Sequence, residues 1–158
     1  MKALVLFYSY GGNTRSVAEM IAKRIGADIA EIKTVKPYEG TYNEVVAQGK
    51  REVESNFKPA IMPVEADFDK YDTVVFGTPV WWYTYAPAVS SFFDSYSLKG
   101  KRVFAFATNG GWLGKTLDNI KHVCKDSDVE KGINIKFNGN KLVTPISDVE
   151  KWADDIIK

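Results

Sequence analysis

Three stretches of the chain are almost continuously apolar: residues 3–8, 73–78 and 102–108. Such runs are what strands covered on both faces look like, and short parallel strands in a buried sheet are the usual case. Between them the pattern changes period. Val17, Ile21 and Ile25 recur at helical spacing, which predicts a helix over 13–25 ending at Gly26. Residues 28–33 alternate polar and apolar and predict a strand nearer the sheet edge. Residues 42–56 predict a crossover helix with Asn43 as candidate cap, Val45, Val46 and Val53 on its apolar side, and a polar, solvated outer face. Residues 57–68 contain Pro59 and Pro63 and read as a connecting loop.

The second half repeats the alternation. Pro87 suits the first turn of a helix carrying Val89, Phe92, Phe93 and Tyr96, and Gly100 closes that unit. A helix is expected from about Thr116 to Lys125, and a short alternating strand over 133–137. A last helix follows Ser147 as N-cap, with Val149, Trp152 and Ile156 facing inward. Strand and helix thus alternate five times within one domain of 158 residues. That order predicts an α/β fold: a doubly wound, five-stranded parallel sheet with helices on both faces and right-handed crossovers.

Charge and cysteine content narrow the chemistry. The net charge of +1 gives no footing for nucleic acid or for an anionic membrane surface. Cys124 is the one cysteine and His122 the one histidine, so neither a zinc site nor a Cys/His nucleophile pair is expected. No apolar run approaches a membrane span and no signal-peptide pattern opens the sequence, which places the expected location in the cytoplasm.

The apolar strands each run into an unusual loop. The first, Ser9-Tyr10-Gly11-Gly12-Asn13-Thr14, supplies hydroxyls, two glycines and a capping amide at the start of a helix. Unpartnered amides and the helix dipole make such a turn suited to a phosphate, without requiring a lysine. Its spacing matches neither the dinucleotide fingerprint nor the P-loop, which leaves a phosphate monoester or a capped turn with no ligand. The second loop, Thr78-Pro79-Val80-Trp81-Trp82-Tyr83, offers flat aromatic faces. The third, Thr108-Asn109-Gly110-Gly111-Trp112-Leu113-Gly114, adds backbone donors beside another indole. All three fall at carboxyl ends of strands, where doubly wound sheets bind ligands. A phosphate at one end and a planar heterocycle at the other describe a mononucleotide, and the aromatic clamp favours a flavin.

These motifs resemble the flavodoxin family over nearly the whole chain, and especially its short FMN-binding members with a Pro-x-Trp-Trp loop. The resemblance implies the flavodoxin-like strand order 2-1-3-4-5 and FMN held without a covalent link. Ser9, Tyr10, Gly12, Asn13, Thr14 and Arg15 would hold the phosphate. Thr78 and Pro79 would flank the ribityl chain and ring, and Val80, Trp81, Trp82 and Tyr83 would meet the ring. Thr108, Asn109, Gly110 and Gly111, with Trp112 and Gly114, would border its pyrimidine edge. The function implied is low-potential electron transfer to or from a redox partner protein. Two alternatives stand beside it: a flavin-dependent NAD(P)H reductase of quinones or other small acceptors, which the near-neutral charge favours, and a non-redox module of the same fold.

Two positions depart from the family pattern. Gly11 stands where a hydroxyl is usual, removing one hydrogen bond to a charged acceptor at a cost of roughly 1–3 kcal/mol. No glycine occurs between Gly77 and Gly100, where electron-transfer flavodoxins often carry one near the flavin N5, and a residue with a side chain pays strain for positive φ, which weighs against stabilisation of a semiquinone.

Overall fold

A computed structural model describes residues 2–158. Its elements follow the chain as β1 (Ala3–Tyr8), α1 (Asn13–Ile25), β2 (Asp28–Ile32), α2 (Tyr42–Glu54), β3 (Thr73–Trp81), β4 (Thr84–Tyr85), α3 (Pro87–Ser95), β5 (Arg102–Asn109), α4 (Thr116–Val123), β6 (Asp128–Val129), β7 (Ile133–Asn138), β8 (Lys141–Leu142) and α5 (Ile146–Ile156). The long strands lie in the order β2-β1-β3-β5-β7, all parallel, which is the predicted 2-1-3-4-5 arrangement.

Three short strands were not expected. β4 folds back on the end of β3, and β8 folds back on β7, each as an antiparallel partner. β6 pairs with the start of β5 before β7 takes over. Val103 opposes Val129 but Phe106 opposes Ile133, so the later segment holds one residue more than its partner. That extra residue is a β-bulge, which splits the fifth strand in two.

The pleat sorts the core. Leu4, Leu6 and Tyr8 of β1 point to the side covered by Val89 and Phe92 of α3 and Ile120 of α4. Val5 and Phe7 point to the other side, against Val17 and Ile21 of α1 and Trp152 and Ile156 of α5. Both sheet faces are buried, which is why β1, β3 and β5 read as apolar runs rather than as alternations.

The caps differ from expectation. Thr41, not Asn43, caps α2, its Oγ1 accepting from the Glu44 N–H at 3.2 Å. α5 starts at Ile146 after Pro145, so Ser147 lies inside the helix. At α1 the cap is Gly12, with φ 94°, and no side chain caps it; the Asn13 amide instead donates to Gly139 O at 2.9 Å. α1 does end on Gly26 in the left-handed region, as its C-cap.

Candidate functional site

The strand order reverses at β1: its neighbours are β2 on one side and β3 on the other. Outside the carboxyl ends of these strands lies a cavity of about 620 Å³, the position that doubly wound sheets use for ligands. Its base is the turn after β1. Gly11 and Gly12 have φ of 80° and 94°, a conformation that residues with a side chain adopt only with strain. Nothing lies within 4 Å of the point where a Cβ would stand on either, so the space beside the turn is open. The first amides of α1 have no acceptor inside the helix and carry the positive end of its dipole.

The neighbouring side chains brace this turn. Ser9 Oγ accepts from the Arg15 N–H at 3.2 Å. Thr14 and Thr108 are buried and share a hydrogen bond of 2.7 Å, joining the first loop to the third. The Arg15 guanidinium is turned to Glu31 on β2 and lies over the Phe7 ring; it does not line the cavity.

The aromatic loop is a hairpin. Val80 pairs with Tyr85 and Trp81 with Thr84, leaving Trp82 and Tyr83 as a two-residue turn. Both have positive φ, 51° and 70°, as the tight turn favoured in hairpins requires. Asn-Gly is the usual solution; two bulky aromatics there cost roughly 1–2 kcal/mol each. The turn is held from both sides. Trp82 Nε1 donates to Val46 O on α2 at 3.0 Å, and the Lys115 N–H donates to Tyr83 O at 2.9 Å. Thr78 lies below and does not line the cavity: its hydroxyl donates to Pro79 O and accepts from the Ala86 N–H.

Trp81 is half-buried, and its ring packs in T-shaped arrangements with those of Tyr8, Tyr10 and Tyr38, with centroids 4.8–6.2 Å apart. Behind it lies a buried carboxylate, Glu52, which accepts from the Tyr38 hydroxyl at 2.5 Å and from Gln48 at 2.8 Å. Burial and then that hydrogen bond push the Tyr38 phenol far above its ordinary range; burial, and then the Glu52 charge, do the same to Tyr8. Replacing Glu52 by alanine removes a charged acceptor from two donors. It is expected to destabilise the fold by about 2 kcal/mol, seen as a thermal midpoint roughly 4–8 °C lower. Glutamine should recover part of that loss.

The third loop stands beside the hairpin. The Asn109 side chain accepts from the Gly111 N–H at 2.9 Å and donates to Asn134 at 2.6 Å. Asn109, Gly110 and Trp112 line the cavity, and Trp112 is 70% exposed. Gly111 and Gly114 do not line it.

The sequence reading missed two walls. Tyr42, Val45, Val46 and Gly49 of α2 form one, on a helix expected to be only a solvated crossover. Gly49, unusual in the middle of a helix, was its signal: a Cβ there would stand 3.1 Å from Trp81 Cε3. Phe137, Gly139 and Asn140, at the β7–β8 turn, form the other. Among the described residues, no lining side chain carries a charge.

The family model described as Flavodoxin matches residues 2–156. The chain belongs to the flavodoxin family. A flavoprotein structure from Bacteroides eggerthii superposes on this family member with a TM-score of 0.83 at 27% identity, covering 99% of this chain and 98% of that one. A flavoprotein from Lactobacillus acidophilus, solved in complex with FMN, matches with a TM-score of 0.74 at 22% identity, over 96% and 98% of the two chains. Among curated proteins, an NAD(P)H dehydrogenase (quinone) from Gluconacetobacter diazotrophicus is 29% identical, over 92% of this chain and 77% of the relative. No helix among the described residues is long and apolar enough to cross a membrane.

Proposed function

We propose that this flavodoxin-family chain binds FMN without a covalent bond and serves as a low-potential electron-transfer protein. The observation that carries this is the cavity itself: an open, left-handed glycine turn at a helix N-terminus lies at one end and aromatic walls lie at the other, joined by the Thr14–Thr108 pair. The residues present fit the group. The amides of Gly11, Gly12, Asn13 and Thr14 would take the phosphate, with Tyr10 beside them. Pro79, Val80 and the aromatic hairpin would enclose the ring, and the Asn109–Gly110 backbone would meet its polar edge. Trp81 already packs against three tyrosines, which leaves the more exposed Trp82, Tyr83 and Trp112 as the surfaces open to the ring.

Bound FMN would supply reversible electron transfer. The chain's own part is to exclude water and withhold positive charge. With no cationic side chain lining the cavity among the described residues, extra negative charge there is poorly stabilised, which favours a low potential. The redox partner would be a protein.

The test is a titration of the purified apoprotein, followed by quenching of flavin fluorescence. FMN is expected to bind one to one. Riboflavin, lacking the phosphate, should bind about 100-fold more weakly, the equivalent of roughly 2.7 kcal/mol. Equal affinities would remove the phosphate cradle; no quenching at all would remove the flavin. A second reading, an NAD(P)H-dependent reductase of quinones, is favoured by the net charge of +1 and by the name of the curated relative. Steady NAD(P)H oxidation by the FMN-loaded protein would establish it.

A further inference from the structure

The chain holds two Asn-Gly dipeptides, Asn109-Gly110 and Asn138-Gly139, and the fold restrains only one of them. In Asn-Gly the glycine nitrogen can close on the carbonyl carbon of the preceding side chain, because no Cβ on the glycine stands in the way. At Asn109 both ends of the side-chain amide are engaged: the oxygen accepts from the Gly111 N–H and the nitrogen donates to Asn134. Asn109 is also half-buried. Asn138 is the exposed last residue of β7 and pairs with Lys141 across the two-residue turn Gly139–Asn140. Glycine in the first position of such a turn is the usual solution, and Gly139 has φ 60°. Among the described residues the Gly139 N–H has no acceptor and the Asn138 side chain no partner. Lys141 stands opposite Asn138, and Lys136 lies two residues earlier on the same exposed face. Their positive charge favours the anion of the amide that must react.

We propose that Asn138 is a site of spontaneous deamidation, and that its modification loosens the phosphate cradle. The Gly139 nitrogen gives its proton to solvent base and bonds to Asn138 Cγ. The Cγ–Nδ2 bond breaks and ammonia leaves, which closes a succinimide ring. Water then opens the ring at either carbonyl. Opening at Cγ leaves aspartate; opening at the main-chain carbonyl leaves isoaspartate, whose backbone runs through Cβ and Cγ and is one atom longer. Both products carry a carboxylate where a neutral amide stood, and no oxidant or cofactor is consumed. The turn is tied to the cradle: Gly139 O accepts from the Asn13 side chain at 2.9 Å, and Asn13 opens α1. A backbone one atom longer cannot keep both the Lys141 pairing and that acceptor in place. The new charge also faces an anionic ligand. The modification stands apart from the FMN reading; its effect on the cradle rests on it.

The experiment ages the FMN-loaded protein in mildly alkaline buffer at body temperature and maps its proteolytic peptides by mass spectrometry. An L-isoaspartyl methyltransferase with a labelled methyl donor is the probe for isoaspartate. The peptide holding Asn138 is expected to gain one dalton at least about tenfold faster than the peptide holding Asn109, whose two hydrogen bonds must first break. Asn138→Gln, whose longer side chain closes a ring far less readily, should remove the methyl label while FMN affinity in fresh protein stays unchanged. The isoaspartate fraction should hold FMN about tenfold more weakly, the equivalent of the lost Asn13 bond. Fresh Asn138→Asp, which adds the charge without lengthening the backbone, should lose only about two- to threefold. Equal rates at the two dipeptides, or labelling that persists in Asn138→Gln, would overturn the site. Aged, isoaspartate-bearing protein that holds FMN as tightly as fresh protein would overturn its link to the cradle. Protein that takes up no FMN would instead overturn the reading beneath that link, and the peptide map would still decide the modification.

Discussion

Replacing Gly77 with alanine is expected to destabilise the protein by about 3 kcal/mol and to lower its thermal midpoint by roughly 6–12 °C. Gly77 lies in β3, with Phe7 of β1 on one side and Phe106 of β5 on the other. A Cβ at this position would stand 2.1 Å from Phe106 Cζ and 2.6 Å from both Cε atoms. The Phe106 ring therefore covers the glycine, in the manner by which aromatics shield strand glycines from neighbouring positions. The ring has nowhere to go. It is fully buried, with Trp152 edge-on at 6.4 Å and Ile135 in the same cluster. Relief must come from the backbone of the central strand or from a displaced core, and both are costly in a close-packed interior.

Thermal unfolding of the apoprotein checks this, and a second substitution assigns the cause. Phe106→Leu removes the atoms that the new methyl group would strike. The double variant should then be at least as stable as Gly77→Ala alone, because the two changes share one contact and cannot add. Strict additivity would show that the loss comes from elsewhere in the strand.

What could be read from the sequence follows from where the determinants lie. β1, β3 and β5 are legible because burial on both faces leaves a run that needs no knowledge of neighbours. Pro87 at the start of α3 and Gly26 at the end of α1 are legible because their effects are local. The competition between Thr41 and Asn43 for the cap of α2 is decided by two residues of register, finer than a periodicity resolves. The hairpin was hidden for a different reason. A two-residue turn of Trp82 and Tyr83 contradicts local preference and exists because α2 and the loop before α4 clamp it. Arg15 is similar: nothing near it in the chain announces Glu31, which reaches it across the sheet edge. The cradle and the aromatic loop were visible as motifs. The α2 wall was not, because Tyr42, Val45 and Val46 face a cavity that exists only once the strands are assembled.

The clamp on the hairpin leads to the second large effect. Gly114→Ala is expected to weaken FMN binding about 30-fold or more, roughly 2 kcal/mol, although this residue does not line the cavity. At Gly114 an added Cβ would meet Tyr83 Cβ and O at 2.5 Å and Tyr83 Cα at 2.6 Å. Two of those atoms are backbone, so no side-chain rotation removes the clash. The left-handed φ of 57° adds about 1 kcal/mol for any residue with a side chain. Either the loop before α4 or the hairpin turn must move, and the hydrogen bond from the Lys115 N–H to Tyr83 O is lost in both cases. Trp82 and Tyr83 hold positive φ only under that restraint, so the turn relaxes and carries its rings away from the cofactor. The sheet is untouched, and apoprotein stability should fall by no more than about 1–2 kcal/mol. Fluorescence titration with FMN, set beside thermal unfolding, separates the two variants: Gly77→Ala should unfold early yet bind well at low temperature, and Gly114→Ala should stay folded and bind poorly. Unchanged FMN affinity in Gly114→Ala would mean that the cofactor does not depend on where the hairpin stands.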